Sequence, residues 1–263
     1  MIDLDAYLER VGIAREDLRP DFESLEALHL AHIEAIPFEN IDVRLRRPIR
    51  LDPPSLHDKL VSRRRGGYCF EHNSLFAAAL RGLDFDVATL EARVRPRGAT
   101  SVMGRTHMTL HVRLEEGDYI ADVGFGGSGP LLPVPLDGTV SLQFGGEYSI
   151  GEEAPGAFAL RTLIDGEWLD LYGFGLTPVH AIDYEVANHF TSTYPKSPFL
   201  NTLTVQRSRP SGRHILRGRT YITQANGDET VREIDPEELP GLLRETFAIE
   251  VTDEEALEAL GDA

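Results

Sequence analysis

The chain has 263 residues, 43 of them acidic and 26 basic, a formal net charge of −17 and a single cysteine. That length suits one globule built from coupled subdomains, and one cysteine excludes an intrachain disulfide framework and an all-cysteine metal cage. The acidic balance argues against a nucleic-acid binder or a protein that docks on anionic membranes.

The opening MIDLDAYLER has neither a basic stretch nor an apolar one, and runs such as LFAAAL at 75–80 are too short to span a bilayer. The expectation is a cytoplasmic protein. Roughly the first 85 residues read as helical. In DFESLEALHLAHIEAI, Leu25, Leu28 and His32 recur at helical spacing, and Pro37 ends the run. A second helix is predicted over 69–81, with Cys69, Asn73, Phe76 and Leu80 on one face.

From about residue 86 the hydrophobic period changes to two. Segments 87–94 and 106–114 alternate, and an Asp165-Gly166 dipeptide between alternating stretches signals a hairpin. Several such strands predict a barrel or a strongly curled sheet. Beyond about 195, strands are expected over 201–207 and 213–224. Two short helices follow near 236–246 and 253–260, the second with a capping box from Thr252 to Glu255. Helices, then strands, then a mixed unit define an α+β class, divided at 1–85, 86–195 and 196–263.

The charge is unevenly spread. Residues 186–227 contain no Asp or Glu and carry Lys196, Arg207, Arg209, Arg213, Arg217 and Arg219. This +6 island leaves −23 for the rest of the chain. Such an island can focus a small anionic ligand toward one face.

Cys69 lies in RRRGGYCFEHN (63–73), at the start of the second helix. Gly66 and Gly67 permit close approach of another chain or a ligand. A helix N-terminus and the nearby Arg63, Arg64 and Arg65 favour a thiolate. A nucleophilic cysteine also needs a base and a group to orient that base. Along 106–114, Met108, Leu110, Val112 and Leu114 share one face, while His107, Thr109, His111 and Arg113 share the other. A regular hairpin turning on Glu116 and Gly117 puts Asp122 opposite His111; a bulge or strong twist would bring it to His107 instead. The residues alone therefore give Asp122 with one of two histidines. Asp122 leads into Gly124-Phe125-Gly126-Gly127-Ser128-Gly129-Pro130, a loop able to offer backbone N–H groups to an anion.

Five ordered strings together resemble the arylamine N-acetyltransferase family. They are Ile36-Pro37-Phe38-Glu39-Asn40, the cysteine string from Arg64 to Asn73, Arg105-Thr106-His107-Met108, Asp122-Val123-Gly124-Phe125-Gly126, and a segment from His189-Phe190 to Ser197-Pro198-Phe199. The resemblance implies a Cys69–His107–Asp122 triad. It also implies an N-terminal helical bundle, a central β-barrel and a C-terminal α/β lid around a papain-like cysteine core. The implied activity is acetyl transfer from acetyl-CoA to an aromatic amine or hydrazine by a ping-pong route, without a metal, in a monomer or homo-oligomer. Phe38, Phe125 and Phe190 are candidate walls for the acceptor, with Phe125 foremost. Gly104, Gly126, Gly127, Ser128, Arg213 and Arg217 are candidate contacts for CoA. The chain departs from the family at Asp84, where glycine is usual after the helix; Asp tolerates left-handed geometry at small cost. Three alternatives share or compete with this site: a macrolactam-forming amide synthase, a cysteine hydrolase, and a non-catalytic domain that binds an anionic metabolite.

Overall fold

A computed structural model of the chain describes residues 2–96, 102–225 and 227–261. The N-terminal part holds α1 (Leu4–Val11), α2 (Phe22–Ala35), a two-residue strand β1 (Phe38–Glu39), α3 (Ile41–Arg44), α4 (Pro53–Leu56) and α5 (Cys69–Gly82). Asp3, Asp21 and Asp52 each cap a helix by accepting an N–H three residues on. α2 ends at Ala35, two residues before Pro37, as the sequence predicts.

An eight-stranded antiparallel sheet follows: β2 (Asp86–Val94), β3 (His107–Leu114), β4 (Gly117–Ala121), β5 (Val134–Pro135), β6 (Ser141–Gln143), β7 (Gly146–Ala154), β8 (Ala157–Ile164) and β9 (Glu167–Gly175). Its order is β5-β4-β3-β2-β9-β8-β7-β6. The sheet curls until β5 lies against β7, which makes a nearly closed barrel. The hairpin signal at Asp165-Gly166 is realised: both residues have positive φ (54° and 81°), the geometry of a type I′ turn between β8 and β9.

The chain then forms α6 (Ala181–Thr193) and α7 (Pro198–Asn201). β10 (Thr204–Arg209), β11 (Gly212–Arg217), β12 (Thr220–Ala225) and β13 (Asp228–Glu233) come next, then α8 (Leu239–Glu245) and α9 (Asp253–Leu260). The strand expected over 213–224 is two strands, because Gly218 turns the chain at φ 57°. The second sheet runs β1-β10-β11-β12-β13, so the β1 segment near the N-terminus is sewn onto the C-terminal strands.

Both faces of β3 are buried, and this places the site. Met108, Leu110 and Val112 pack with Leu25, Leu28, Phe70 and Phe76 of the helices. Full burial of each such side chain contributes roughly 1.5–3 kcal/mol. His107 and Thr109 face the other way, toward Tyr172 of the barrel. Among the described residues no helix is long and apolar enough to cross a membrane.

Candidate active site

Arg65-Gly66-Gly67-Tyr68 launches α5, and its neighbours allow little else. A β-carbon on Gly66 would come 2.0 Å from the Pro37 carbonyl oxygen, and one on Gly67 would come 2.7 Å from Glu71 Oε2. A buried ionic cluster holds this segment. Lys59 Nζ lies 2.8 Å from both Asp42 Oδ2 and Glu71 Oε1. Arg65 Nη2 lies 2.7 Å from Glu39 Oε1. The second oxygens are also occupied, since Glu39 Oε2 accepts the Ile41 N–H and Glu71 Oε2 accepts the Tyr68 N–H. Burial alone would raise the Asp42 carboxyl, but Lys59 and Arg65 outweigh it and hold it at about 2. Each charge has partners, the condition under which a buried cluster is tolerated.

Cys69 therefore stands in the first turn of α5, with its sulfur 3.8 Å from the Thr106 carbonyl oxygen at the entry to β3. His107 Nε2 lies 2.6 Å from Asp122 Oδ2, which leaves Nδ1 for Cys69. Burial alone would lower the imidazole. The Asp122 carboxylate and the contact with Cys69 overcome that and push it up to about 10. Asp122 is fully buried, yet His107, Asn73 and the Gly124 N–H keep its carboxyl below the usual range.

The expected hairpin register is corrected. The turn is Glu115-Glu116, and Leu114 pairs with Gly117. Continued to its end, this register sets Asp122 opposite Thr109, diagonal to both histidines. Asp122 bonds His107, and Asp118, which is opposite Arg113, bonds His111 at 2.9 Å. Both carboxylates reach the histidine two residues before their partner, so one consistent diagonal, set by sheet twist, makes the choice without a bulge.

Sequence reasoning missed several residues that hold these three in place. Asn73, one turn along α5 from Cys69, donates to the Met108 carbonyl (2.7 Å) and Asp122 Oδ1 (2.9 Å) and accepts the Val123 N–H. It ties the cysteine helix to the histidine and aspartate strands. His29 accepts the Asp122 N–H at Nε2 (3.0 Å), so its Nδ1–H donates to the Leu131 carbonyl (2.9 Å). The signal was present: Leu25, Leu28, His29 and His32 follow the spacing of a single helix face. Tyr172 packs on His107, with ring centroids 4.9 Å apart; nothing local marks it.

Phe125 meets His107 edge-on at 5.3 Å, and Phe38 packs against Gly126. A narrow cleft lined by Phe38, Phe125, Gly126, Gln206 and Ser208 reaches Asp122. Phe190 is elsewhere. It is 48% exposed on α6, stacked on Tyr194 and outside the ring cluster around His107. Gly104 and Ser128 are exposed, and Gly126 and Gly127 have left-handed φ of 67° and 51°.

The expectations for the glycine loop and the cationic island also change. The N–H groups of Gly124, Gly127 and Gly129 are already donated to Asp122, Gln206 and the Gly126 carbonyl. Arg213 spends its guanidinium on the carbonyls of Gly127 and Gly129, Arg207 on those of Glu34 and Thr246, and Arg219 on that of Ile234. Only Lys196, Arg209 and Arg217 of the island make no side-chain hydrogen bond or ion pair among the described residues.

The N-acetyltransferase family pattern matches residues 21–256. The chain is 37% identical over 238 residues to an arylamine N-acetyltransferase / N-hydroxyarylamine O-acetyltransferase of Salmonella typhimurium, covering 89% of this chain and 84% of that one. This chain belongs to the arylamine N-acetyltransferase family. A Mycobacterium tuberculosis arylamine N-acetyltransferase is likewise 37% identical, over 96% of this chain and 91% of the relative. The solved structure of Mycobacterium marinum arylamine N-acetyltransferase in complex with CoA superposes with a TM-score of 0.91 at 31% identity, covering 98% of each chain. The family's α+β fold with its nearly closed barrel is the fold seen here, and the protein is an acyltransferase of this family.

Proposed function

We propose that the protein moves an acetyl group from acetyl-CoA to the nitrogen of an aromatic amine or hydrazine through an acetyl-Cys69 intermediate. One observation carries the reading. A buried imidazole, pushed up to about 10, lies between the only thiol of the chain and a fully buried carboxylate. The imidazolium lies beside the sulfur, and Asp122 fixes the ring orientation and offsets its charge.

The Cys69 thiolate attacks the thioester carbonyl, the C–S bond to CoA breaks, and the His107 imidazolium gives its proton to the departing CoA sulfur. The amine then attacks the acetyl-enzyme, the S–C bond breaks, and His107 relays the proton released from nitrogen. Anilines are neutral at pH 7, so the nitrogen lone pair is available. The Cys69 N–H, in the first turn of α5 and without a helical partner, is one donor for the tetrahedral oxyanion. In this reading residues 1–85 bring the nucleophile, 86–195 the base and its partner, and 196–263 cover them. Phe38 and Phe125 flank the acceptor. Arg209 and Arg217 are freer than Arg213 to meet CoA phosphates, because their charge is not committed to backbone carbonyls among the described residues.

Initial rates with acetyl-CoA and a small aniline test the order of events. The reading expects parallel double-reciprocal lines when one substrate is varied at several levels of the other. Intersecting lines would show that both substrates must be bound together before any chemistry occurs.

A further inference from the structure

Residues 124–130 carry Phe125 between β4 and β5 and form no helix or strand. Gly126 and Gly127, both left-handed, give this loop wide backbone freedom. It is nevertheless gripped from outside. Gln206, only 4% exposed, takes the Gly127 N–H at Oε1 and donates from Nε2 to the Gly127 carbonyl at 2.8 Å. Arg213 donates to the carbonyls of Gly127 and Gly129 and lies 3.2 Å from Tyr148 Oη. The Tyr148 hydroxyl in turn shares its one hydrogen between the Ser128 and Gly129 carbonyls. Gln206 and Ser208 share one face of β10, and Ser208 pairs directly with Arg213 on β11. The second sheet thus presents an amide and a guanidinium to one stretch of backbone. Arg213 has no carboxylate partner among the described residues; its charge is spent wholly on carbonyl oxygens and a phenol.

We propose that Gln206 and Arg213 are positioning residues that fix Phe125 against His107 and thereby set which acceptor rings can reach Cys69. The proposal rests on the acetyl-transfer reading for its functional consequence. Phe125 contacts the imidazole and Tyr172, each at 5.3 Å between centroids, so a shift of this ring reshapes the cleft beside the base. Arg213 does not line that cleft, so its removal acts through the loop and not through lost contact with an acceptor.

The test uses the whole protein as Arg213→Met, Gln206→Glu and Arg213→Lys. One measurement is the ratio of kcat/KM for a one-ring aniline to that for a fused two-ring aromatic amine. The other is the fluorine resonance of Phe125 in 4-fluorophenylalanine-labelled protein, assigned by its loss in Phe125→Leu. The proposal expects the ratio to move at least about tenfold in Arg213→Met and Gln206→Glu. It expects the Phe125 resonance to shift or broaden in both, with partial return in Arg213→Lys. A ratio within about twofold of wild type, or an unmoved resonance in folded Arg213→Met, would overturn it. If wild type is not acetylated by acetyl-CoA, the functional reading fails on its own, and the resonance still decides whether the clamp fixes Phe125. Should Arg213→Met not fold, Arg213→Lys and Gln206→Glu carry both measurements.

Discussion

A methyl group separates a working site from a disrupted one at Gly124. A β-carbon there would lie 2.8 Å from Cys69 Cα and 2.9 Å from Asn73 Nδ2. The backbone after Asp122 can touch the cysteine helix only because residue 124 has no side chain. Gly124→Ala should lower kcat/KM by about a hundredfold or more, since small displacements of reacting groups carry penalties of that size. It should also cost about 1–3 kcal/mol in urea unfolding, as forced overpacking does. Asp84 offers the opposite case. It ends α5 with φ 65°, a conformation that glycine adopts without strain. Asp84→Gly should raise the urea midpoint by the equivalent of about 0.5–1 kcal/mol and leave acetyl transfer unchanged. At this scale the sequence was informative wherever chemistry lies in local context: Cys69 after two glycines, His107 on an alternating strand, Asp122 before a glycine loop. It misled where the answer depended on a turn. Reading the turn at Glu116-Gly117 in place of Glu115-Glu116 was enough to set the wrong histidine opposite Asp122.

At the scale of elements, α2 and α5 are joined by polar groups inside an apolar core. Tyr7 Oη lies 2.9 Å from His32 Nδ1, His32 Nε2 lies 3.0 Å from His72 Nδ1, and His72 Nε2 lies 3.2 Å from the Pro37 carbonyl. That carbonyl can only accept, and with burial holding both rings neutral each group donates onward to the next. Burial is the largest cause of the lowering at every buried histidine of α2 and α5: it brings His29 and His72 to about 4 and sets His32 well below its usual value. The sign follows from linkage. The unfolded chain protonates these rings first, so their contribution is intact above about pH 6.5 and is lost as pH falls toward 4. Unfolding free energy should drop in that window by up to about 4 kcal/mol per pH unit for three protons, and His29→Gln should lessen the slope. His107, raised to about 10, works in reverse: its contribution is complete below about pH 6.5 and fades as pH rises through 10. Denaturant titrations across pH 4–10 would reveal both limbs. A flat acid limb would mean that these rings are not buried neutral.

Elements with conventional patterning were legible in the sequence, and α6 was not. This helix buries Tyr184, Asn188 and Thr191 and exposes Ile182, Val186 and Phe190. A helix with polar residues inward inverts the pattern by which helices are read. Asn188 faces in because its carboxamide meets the Tyr68 hydroxyl and the Ile49 carbonyl, partners 120 and 139 residues away in sequence.

For the whole molecule, the three apolar cores are joined by polar side chains that span long stretches of sequence. Asn40 beside β1 binds the carbonyls of Phe199 and Thr202 and the Thr204 N–H. Arg44 reaches the carbonyls of Leu200, Ala259 and Leu260. Gln206 and Arg213 return from the second sheet to the glycine loop of the first. No periodicity encodes such contacts, which explains why the class and the broad succession of helices, strands and a mixed unit could be read from the chain while the clamps could not. The +6 island also changes meaning at this scale. Arg207, Arg213 and Arg219, half of its cations, are structural ties, which leaves Lys196, Arg209 and Arg217 uncommitted among the described residues.

The most direct measurement is the intact mass of the protein after mixing with acetyl-CoA in the absence of any acceptor. Wild type should gain one acetyl group, located on Cys69 by peptide mapping, and should lose it when an aromatic amine is added. Cys69→Ala should gain none. Wild type that turns over acetyl-CoA and amine while never carrying an acetyl group, or a Cys69→Ala protein that is still acetylated at the site, would contradict an acetyl-cysteine intermediate.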